Sequence, residues 1–509
     1  MYHKLSTSNL TAISVTSLIG QQQSVSKLMP NTPVTMVLYI ISDIWWLGVK
    51  TPRRVEDTFV KPEAGRGWPQ SNLLRVLQIH FIGRSMPNDE PPWFRLRGYL
   101  HFDSPVKAVT AQKLVTNPKR VAKHAFFPLI HYQIDSFKVS TTESGEFHKK
   151  FKSRPISYAS HLDSHIYAYY AWLLSKHYEE LLNHNNLSDN VLAFRSLGKS
   201  NIEFANNAFE EIKRRKHCVA IALDISGFFD NLDHQTLKAM WARTLGEEKL
   251  PDDHFNVFKS LTKYSKVNRA ALYEQLGISP NNPKNGRFRI CAAHEFRNTV
   301  RCNGLIETHQ KTKGIPQGTP ISALLSNIYM IDFDSKAKQI TDEFGGEYYR
   351  YCDDMLFIVQ PDQQDVIEHF VNSEIDRLGL SINQDKTEIR HFWPDGILQK
   401  CNKSLQYLGF TFDGQRKLIR SAALARFSGR MKSGVRLAKK TREKIKRLND
   451  SQGRPTKALF KRKLYERYSY VGRRNFISYG YRAANLMGSQ AIKRQLKPLW
   501  ARLQDEIQK

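Results

Sequence analysis

The chain has 509 residues, 41% of them hydrophobic, and a formal net charge of +29. This composition excludes a wholly disordered chain, and the length suits roughly three domains at about 150 residues each. The positive charge favours an acidic partner, most simply a nucleic acid, with an anionic membrane surface as the alternative.

The first 60 residues form a lead-in with few structural signals. Residues 34–47 are apolar, but they fall short of the ~20 residues that a membrane span needs, and Asp43 interrupts them. We interpret this segment as a buried strand or helix and expect no membrane partner. A basic leader followed by a small-residue cleavage site is missing here, which argues against a signal peptide.

Five scattered cysteines without a CxxC pair predict a reducing, cytoplasmic setting rather than disulfides or a cysteine-rich zinc module. They are Cys218, Cys291, Cys302, Cys352 and Cys401.

Further along the chain, residues 61–150 are rich in proline and aromatic side chains, and the basic run 117–124 is predicted to lie at the surface. Residues 154–211 have a helical pattern. They are followed by a buried strand at 217–225 and by a helix that begins near Asp233. The polar segment 250–301 is predicted to be an insertion.

The central part of the chain combines helices with a hairpin, which indicates an α+β fold. The predicted elements are a loop at 314–320, a helix at 321–340, a hairpin at 348–360, a helix at 365–378, and strands at 380–389 and 405–412. Residues 417–509 carry 26 Lys and Arg against 5 Asp and Glu, with apolar and aromatic residues at helical spacing. Such basic helices are either solvated or line a groove that follows a nucleic-acid backbone, and we favour the groove.

Three aspartates are candidate catalytic residues. Asp224 ends the predicted buried strand, while Asp353 and Asp354 occupy the tip of the hairpin. Taken alone, Asp224 could equally be a turn residue. Together, three carboxylates suit hard cations such as Mg²⁺. Two such ions ~3.5–4 Å apart can hold the attacking and leaving oxygens of a phosphoryl transfer.

The order of these motifs resembles that of a reverse transcriptase. The palm-like motifs are Asp224, "GIPQGTPISALLSN", "YCDD", "LSINQDKTEI" and "YLGF". Upstream, "RPISYASHLD" and "AFRSLGKSN" are similar to fingers motifs. The resemblance covers roughly residues 150–415. Its nearest pattern is that of bacterial enzymes of the group II intron and retron types and their defence-associated (antiphage) relatives.

This resemblance implies a right-hand polymerase fold with a ferredoxin-like palm, fingers and a basic α-helical thumb. The implied division is a lead-in at 1–60, an N-terminal extension with fingers at 61–215, a palm at 216–415 with its insertion near 250–301, and a thumb at 416–509. It also implies RNA-directed synthesis of DNA from dNTPs with two Mg²⁺ ions, Mn²⁺ being an alternative.

Residue roles follow from the same resemblance. Asp224 and Asp353 would bind both metals, with the Ile225 carbonyl completing one site and Asp354 supporting the other. The implied nucleotide-binding residues are Arg154, Lys152, Phe229, Gln317 and Lys386, and the implied primer contacts are Tyr407, Leu408 and Gly409. Phe229 would exclude the 2′-hydroxyl of a ribonucleotide, and Lys386 would protonate pyrophosphate, although a solvated lysine at the end of a strand would look the same.

Two positions depart from the family pattern: Ala323 replaces a proline and Ser164 replaces an arginine. With the long N-terminal part, they favour a defence-associated enzyme that works on a dedicated non-coding RNA. The alternatives are a group II intron or retron reverse transcriptase, or an RNA-binding maturase or scaffold. A homo-oligomer is left open.

Weaker signals are interpreted as structural. Residues 197–200, "LGKS", imitate a phosphate-binding loop, but its opening glycine is replaced by Ala193. His161 and His165 have metal-ligand spacing, but without an HExxH motif or a third partner nearby a zinc site is disfavoured. Cys352 is interpreted as a small filler of the hairpin rather than a nucleophile.

Overall fold

The computed structural model describes residues 90–141 and 146–509, with only the backbone described for 137–141 and 147–150. The predicted lead-in at 1–60, the apolar segment 34–47 and the beginning of the region 61–215 lie outside the described residues.

The N-terminal half contains a four-stranded sheet of order β2-β1-β4-β5, in which β1 and β4 are parallel and the other pairs antiparallel. Its elements are α1 (Ala108–Val115), α2 (Pro118–Ala122), β1 (Leu129–Thr141), β2 (Phe147–Tyr158), α3 (His161–His184), α4 (Asn201–Arg215), β3 (Cys218–Asp224), α5 (Phe228–Asn231), α6 (His234–Thr244), α7 (Asp252–Thr262), β4 (Ser265–Asn268), α8 (Arg269–Gln275), α9 (Ala293–Glu295), a π-helix (Phe296–Arg301) and β5 (Ile306–Thr308).

The prediction of helix from residue 154 onward is wrong at its beginning. Arg154 lies in β2 and pairs with Ile134 of β1. Pro155 and the β-branched Ile156 suit an extended strand better than a helix interior. Helix α3 begins only after Ser160, whose hydroxyl accepts a hydrogen bond from the Asp163 amide at 3.2 Å.

The rest of the chain completes a second sheet and ends in helices. Its elements are α10 (Ser322–Tyr329), α11 (Ile331–Glu343), β6 (Glu347–Tyr351), β7 (Asp354–Val359), a 3₁₀ turn (Pro361–Gln363), α12 (Gln364–Arg377), a 3₁₀ turn (Gln384–Lys386), β8 (Glu388–Asp395), β9 (Leu398–Cys401), β10 (Leu405–Tyr407), β11 (Phe410–Phe412), β12 (Lys417–Ile419), α13 (Ser421–Ser451), α14 (Arg462–Tyr468), α15 (Phe476–Leu486), α16 (Gln490–Leu496) and α17 (Pro498–Gln508). The single helix predicted at 321–340 is two helices that meet at Met330.

The central sheet has the strand order β6-β7-β3-β8-β9, and every neighbouring pair is antiparallel. All seven residues of β3 are buried. Val219 and Ile221 belong to one hydrophobic core, whereas Ala220 and Ala222 belong to another. Alternate side chains of a strand point to opposite faces, so the sheet is covered on both sides. This explains why β3 is a continuous apolar run rather than an alternating one.

The first core joins this sheet to α3, α6, α7, α10 and α11, and the second joins it to α4, the small sheet β10-β11-β12 and the C-terminal helices. The predicted insertion at 250–301 contributes Val257 and Leu261 of α7 to the first core. In the part of the chain that the structure describes, no helix is both long enough and apolar enough to cross a bilayer.

Candidate active site

The two adjacent aspartates lie at a two-residue turn. Tyr351 at the end of β6 pairs with Asp354 at the start of β7, which leaves Cys352 and Asp353 as the turn. Cys352 has φ +62°, a left-handed conformation that such hairpin turns need and that most non-glycine residues avoid. Its side chain is buried, which agrees with its interpretation as a filler of the hairpin.

Strand β3 brings the third aspartate to this turn. Asp224 lies directly opposite Asp354 in the register of β3 and β7, and opposed residues place their side chains on the same face of a sheet. The Ile225 amide donates a hydrogen bond to the Asp353 carbonyl at 3.2 Å. Residues far apart in sequence are therefore adjacent through sheet register.

Asp224 is held by the segment before β8. The Lys386 ammonium forms an ion pair with its carboxylate. The Asn383 side-chain amide donates to the same carboxylate at 3.3 Å, and the Asn383 backbone amide donates to the Asp224 carbonyl at 2.7 Å. Asp224 thus has a fixed backbone and a carboxylate that already binds a cationic group.

The three carboxylates influence one another. Asp354 is exposed at the tip of the hairpin, yet its pKa is raised to about 7, because the surrounding protein removes hydration and because Asp353 and Asp224 add like charges nearby. Lys386 and Arg420 act in the opposite direction. The site is therefore an acidic cluster that is only partly neutralised by the protein itself.

One predicted nucleotide-binding cation, Lys152, lies within electrostatic range of this cluster. The pKa of Lys152 is lowered, first by burial and then by the positive charges of Lys386 and Arg154, while Asp224 and Asp353 raise it. Arg154 is exposed on the same strand, β2. The middle of β2 therefore lies close enough to the acidic cluster for Lys152 to interact with Asp224 and Asp353.

The loop before α10 lies between β2 and the segment after β3. The Ile315 amide donates to the Phe229 carbonyl at 2.9 Å, and the Ser157 amide donates to the Gln317 carbonyl at 2.8 Å. Gly318 has φ +119°, and a Cβ there would come within 2.7 Å of the Ser157 carbonyl oxygen. This close approach requires a glycine.

The predicted primer-contacting residues form the turn between β10 and β11. The Asn201 side-chain amide donates to the Leu408 carbonyl at 2.9 Å and fixes this turn. Tyr407 and Leu408 line a cavity of about 190 Å³ together with Asp224 and Asp354. Neither Phe229 nor Gln317 lines this cavity.

Behind the turn lies a fully buried ion pair that our sequence analysis missed. The Arg350 guanidinium of β6 donates to both carboxylate oxygens of Asp334 in α11, at 2.6 and 2.7 Å. It also donates to the Asn327 side-chain oxygen at 3.0 Å and to the Cys352 carbonyl at 3.1 Å. Arg350 therefore joins the strained turn to α10 and α11. An arginine inside a predicted buried strand was the available signal.

His161 and His165 are both core residues. Both are buried; His161 stacks on Tyr99 with ring centroids 5.2 Å apart, and His165 stacks on Phe94 at 4.6 Å. One ring nitrogen of each histidine has no hydrogen-bond partner within the described part of the chain.

The three aspartates have the donor chemistry of a site for a hard cation. Within residues 90–141 and 146–509, no three Asp, Glu, His or Cys side chains converge closely enough to form a ready-made metal cage. Asp224, Asp353 and Asp354 nonetheless supply hard oxygen donors and uncompensated negative charge, which fits a cation that also takes ligands from a substrate phosphate. The Lys386 ammonium shows that a cationic group is accommodated beside Asp224.

The family model described as "Reverse transcriptase (RNA-dependent DNA polymerase)" matches residues 147–412, just over half of the chain. The chain belongs to the reverse transcriptase family. Its members are enzymes, RNA-directed DNA polymerases of the nucleotidyltransferase class, and the α+β architecture described above is their right-hand polymerase fold. No curated protein matches the sequence.

Several solved telomerase structures are similar to this reverse transcriptase. Apo telomerase from Candida tropicalis, truncated from its C-terminal domain, has 12% identity and a TM-score of 0.35, and the match covers 62% of this chain and 60% of that one. Telomerase from Candida albicans in complex with a fragment of telomeric RNA has 12% identity and a TM-score of 0.32, with 76% and 66% covered. The present chain thus spans about three fifths to two thirds of these relatives.

Proposed function

We propose that this reverse transcriptase makes DNA from dNTPs on an RNA template by two-metal catalysis. The observation that carries the proposal is the register of the central sheet, which sets Asp224 opposite Asp354 while the strained turn at Cys352 holds Asp353 beside them. A scaffold without activity would gain nothing from three adjacent carboxylates, two of which raise the pKa of the third, Asp354.

In this proposal Asp224 and Asp353 hold two Mg²⁺ ions, or Mn²⁺ in their place, together with the Ile225 carbonyl. Asp354 supports the second ion. When bound, the ions would activate the primer 3′-hydroxyl and stabilise the leaving pyrophosphate. The protein contributes a fixed backbone. The hydrogen bonds from the Ile225 amide to the Asp353 carbonyl and from the Asn383 amide to the Asp224 carbonyl hold the residues that carry the carboxylates before substrate binds.

The nucleotide would bind against β2. Arg154 and Lys152 would hold its triphosphate, because guanidinium and ammonium groups match phosphate oxygens. Phe229 would lie against the sugar and Gln317 along the base pair being formed. Lys386 would protonate pyrophosphate, and to do so it must exchange its present partner, Asp224, for a phosphate oxygen.

The growing strand would lie on the other side of the aspartates, along Tyr407, Leu408 and Gly409. We assign residues 61–215 to the N-terminal extension and fingers, 216–415 to the palm and 416–509 to the thumb. The thumb carries 27 Lys and Arg against 5 Asp and Glu, so it suits a template–primer duplex.

We further propose that the RNA is a dedicated non-coding RNA and that the system serves bacterial antiphage defence in the cytoplasm. The support is the motif pattern with its departures at Ala323 and Ser164, together with five cysteines that form no disulfide. An enzyme of a group II intron or a retron is the second candidate, and a gene neighbourhood with an intron boundary or a retron RNA locus would favour it.

The test is purification of the complex from cells, followed by sequencing of its bound RNA and of the DNA that it makes from dNTPs. We expect one RNA species and a DNA product complementary to part of it. The double variant Asp353→Ala/Asp354→Ala should still bind the RNA but make no DNA. DNA synthesis by the double variant would refute the site, and phage protection by it would favour the scaffold alternative.

The matched control is Asp362→Ala, in the exposed 3₁₀ turn after β7. It removes the same group from the same part of the chain, away from the cluster, and should leave DNA synthesis unchanged.

A further inference from the structure

Arg420 stands at the junction between β12 and α13, beside the acidic cluster. Its backbone amide donates to the Gly409 carbonyl at 3.1 Å, which ties it to the turn between β10 and β11. Its side chain lines the cavity of about 190 Å³ described above and a neighbouring cavity of about 350 Å³. Asp354 lines both cavities as well.

The Arg420 guanidinium is incompletely paired. Its Nε is buried and has no hydrogen-bond partner among the described residues. A buried donor without a partner costs free energy, and most such groups in native proteins are paired. The charge does act on Asp354, whose pKa it lowers against the effects of burial and of the other carboxylates. Arg420 therefore combines an unpaired buried donor with a position at two cavities that border Asp354.

The larger cavity has the lining that a DNA strand end would meet. It is bounded by the Leu408 and Gly409 turn, by Asn201 and by Asp354. A strand whose 3′-hydroxyl lies at the aspartates must place its last phosphates close to a carboxylate, which repels them. A guanidinium between the two negative groups removes this repulsion and can donate two hydrogen bonds to phosphate.

We propose that Arg420 binds a phosphate of the growing DNA strand next to its reactive 3′ end. This inference rests on the proposed function and adds a residue that none of the sequence motifs contains. Its role is to position the strand end, and the guanidinium is the group that would do so.

The test measures binding of a DNA primer on an RNA template to the full-length protein by fluorescence anisotropy. Each of the last three primer phosphates is replaced in turn by an uncharged methylphosphonate. For one of these positions we expect the wild type to lose affinity by about 10- to 100-fold, the scale of a charge-assisted hydrogen bond. With Arg420→Ala, affinity for the unmodified primer should fall by a similar factor, and the same methylphosphonate should have little further effect. Arg420→Lys should keep part of the affinity.

Arg416→Ala is the matched control. Arg416 lies just before β12, pairs with Asp413 at 2.8 Å, and its side chain is 70% exposed. Its replacement should leave the response to every methylphosphonate as in the wild type.

Two outcomes would overturn the inference. If the wild type binds and extends the primer but Arg420→Ala responds to all three methylphosphonates as the wild type does, Arg420 contacts no phosphate and only this inference fails. If the wild type neither binds nor extends the primer, the proposed function fails as well.

Discussion

Replacing Asp334 by Asn should destabilise the protein far more than the same change at Asp332, two residues earlier in α11. Asp334 and its partner Arg350 both have side chains with 0% exposure, whereas Asp332 and its partner Arg243 are each 50% exposed. Both pairs join an arginine to an aspartate of α11, so burial is the main difference between them.

The expected magnitudes follow from desolvation. Burial alone would lower the pKa of Arg350, but Asp334 outweighs this effect and the net shift is upward, so the arginine stays charged. Asp334→Asn leaves that charge uncompensated in the core, at a cost of roughly 3–5 kcal/mol in the free energy of unfolding. The exposed pair contributes about 0–1 kcal/mol, because water already solvates both groups and salt screens them.

The assay is urea unfolding followed by circular dichroism at pH 7.5, with both variants and the wild type measured in the same buffer. A third variant, Asp334→Leu with Arg350→Met, should recover part of the loss, because it removes both charges rather than one. Equal losses for Asp334→Asn and Asp332→Asn would refute the reasoning.

Three other changes have defined outcomes. Phe229→Ala should raise the ratio of ribonucleotide to deoxyribonucleotide incorporation by roughly 10- to 100-fold, the range of a steric pocket; an unchanged ratio in single-nucleotide extension would remove Phe229 from the sugar site. Gly318→Ala should cost roughly 1–3 kcal/mol in urea unfolding, because its φ of +119° and its contact with β2 both oppose a side chain. Gly379→Ala, with φ +67° and open space around it, should cost less, and the reverse order would contradict the argument. Finally, burial lowers the pKa of His101 to about 3 and that of His165 to about 4. Both values lie below the unfolded value of about 6.5, so the unfolded state binds more protons, and stability falls as pH drops below 6.5; at pH 5 each histidine should cost about 2 kcal/mol. His165→Phe should therefore reduce the loss of stability between pH 7.5 and pH 5 in urea unfolding, and an unchanged loss would count against this assignment.

Much of the central sheet could be predicted because its signals are local. A continuous apolar run predicts β3, and two apolar segments around a short acidic stretch predict the hairpin. Asp224 and Asp354 lie opposite each other because of the register between β3 and β7, and local sequence patterns do not determine that register. The motif order supplied that link by resemblance, and the structure shows the register, with Asp224 opposite Asp354.

Other features depend on contacts that distant segments make. The helical pattern from residue 154 was misleading, because pairing with β1 decides the conformation of Arg154. The buried ion pair of Arg350 and the spare donor of Arg420 belong to no motif, and their roles emerge only when α11 and the β10–β11 turn are packed against them. The contact of Asn383 with Asp224 could have been predicted from the sequence, since Asn383 lies in the same motif as Lys386.

Helix α13 has a further consequence for how the protein responds to salt. Its buried residues, Phe427, Met431 and Val435, all lie in its first half. Residues 436–451 have none, although they contain seven Lys and Arg against two acidic residues. The positive charges of residues 436–451 therefore repel one another, and no buried side chain in this half of the helix opposes unwinding of its end. Ionic strength or a bound polyanion would therefore set its stiffness, and the enzyme should be most rigid here when it is engaged with nucleic acid.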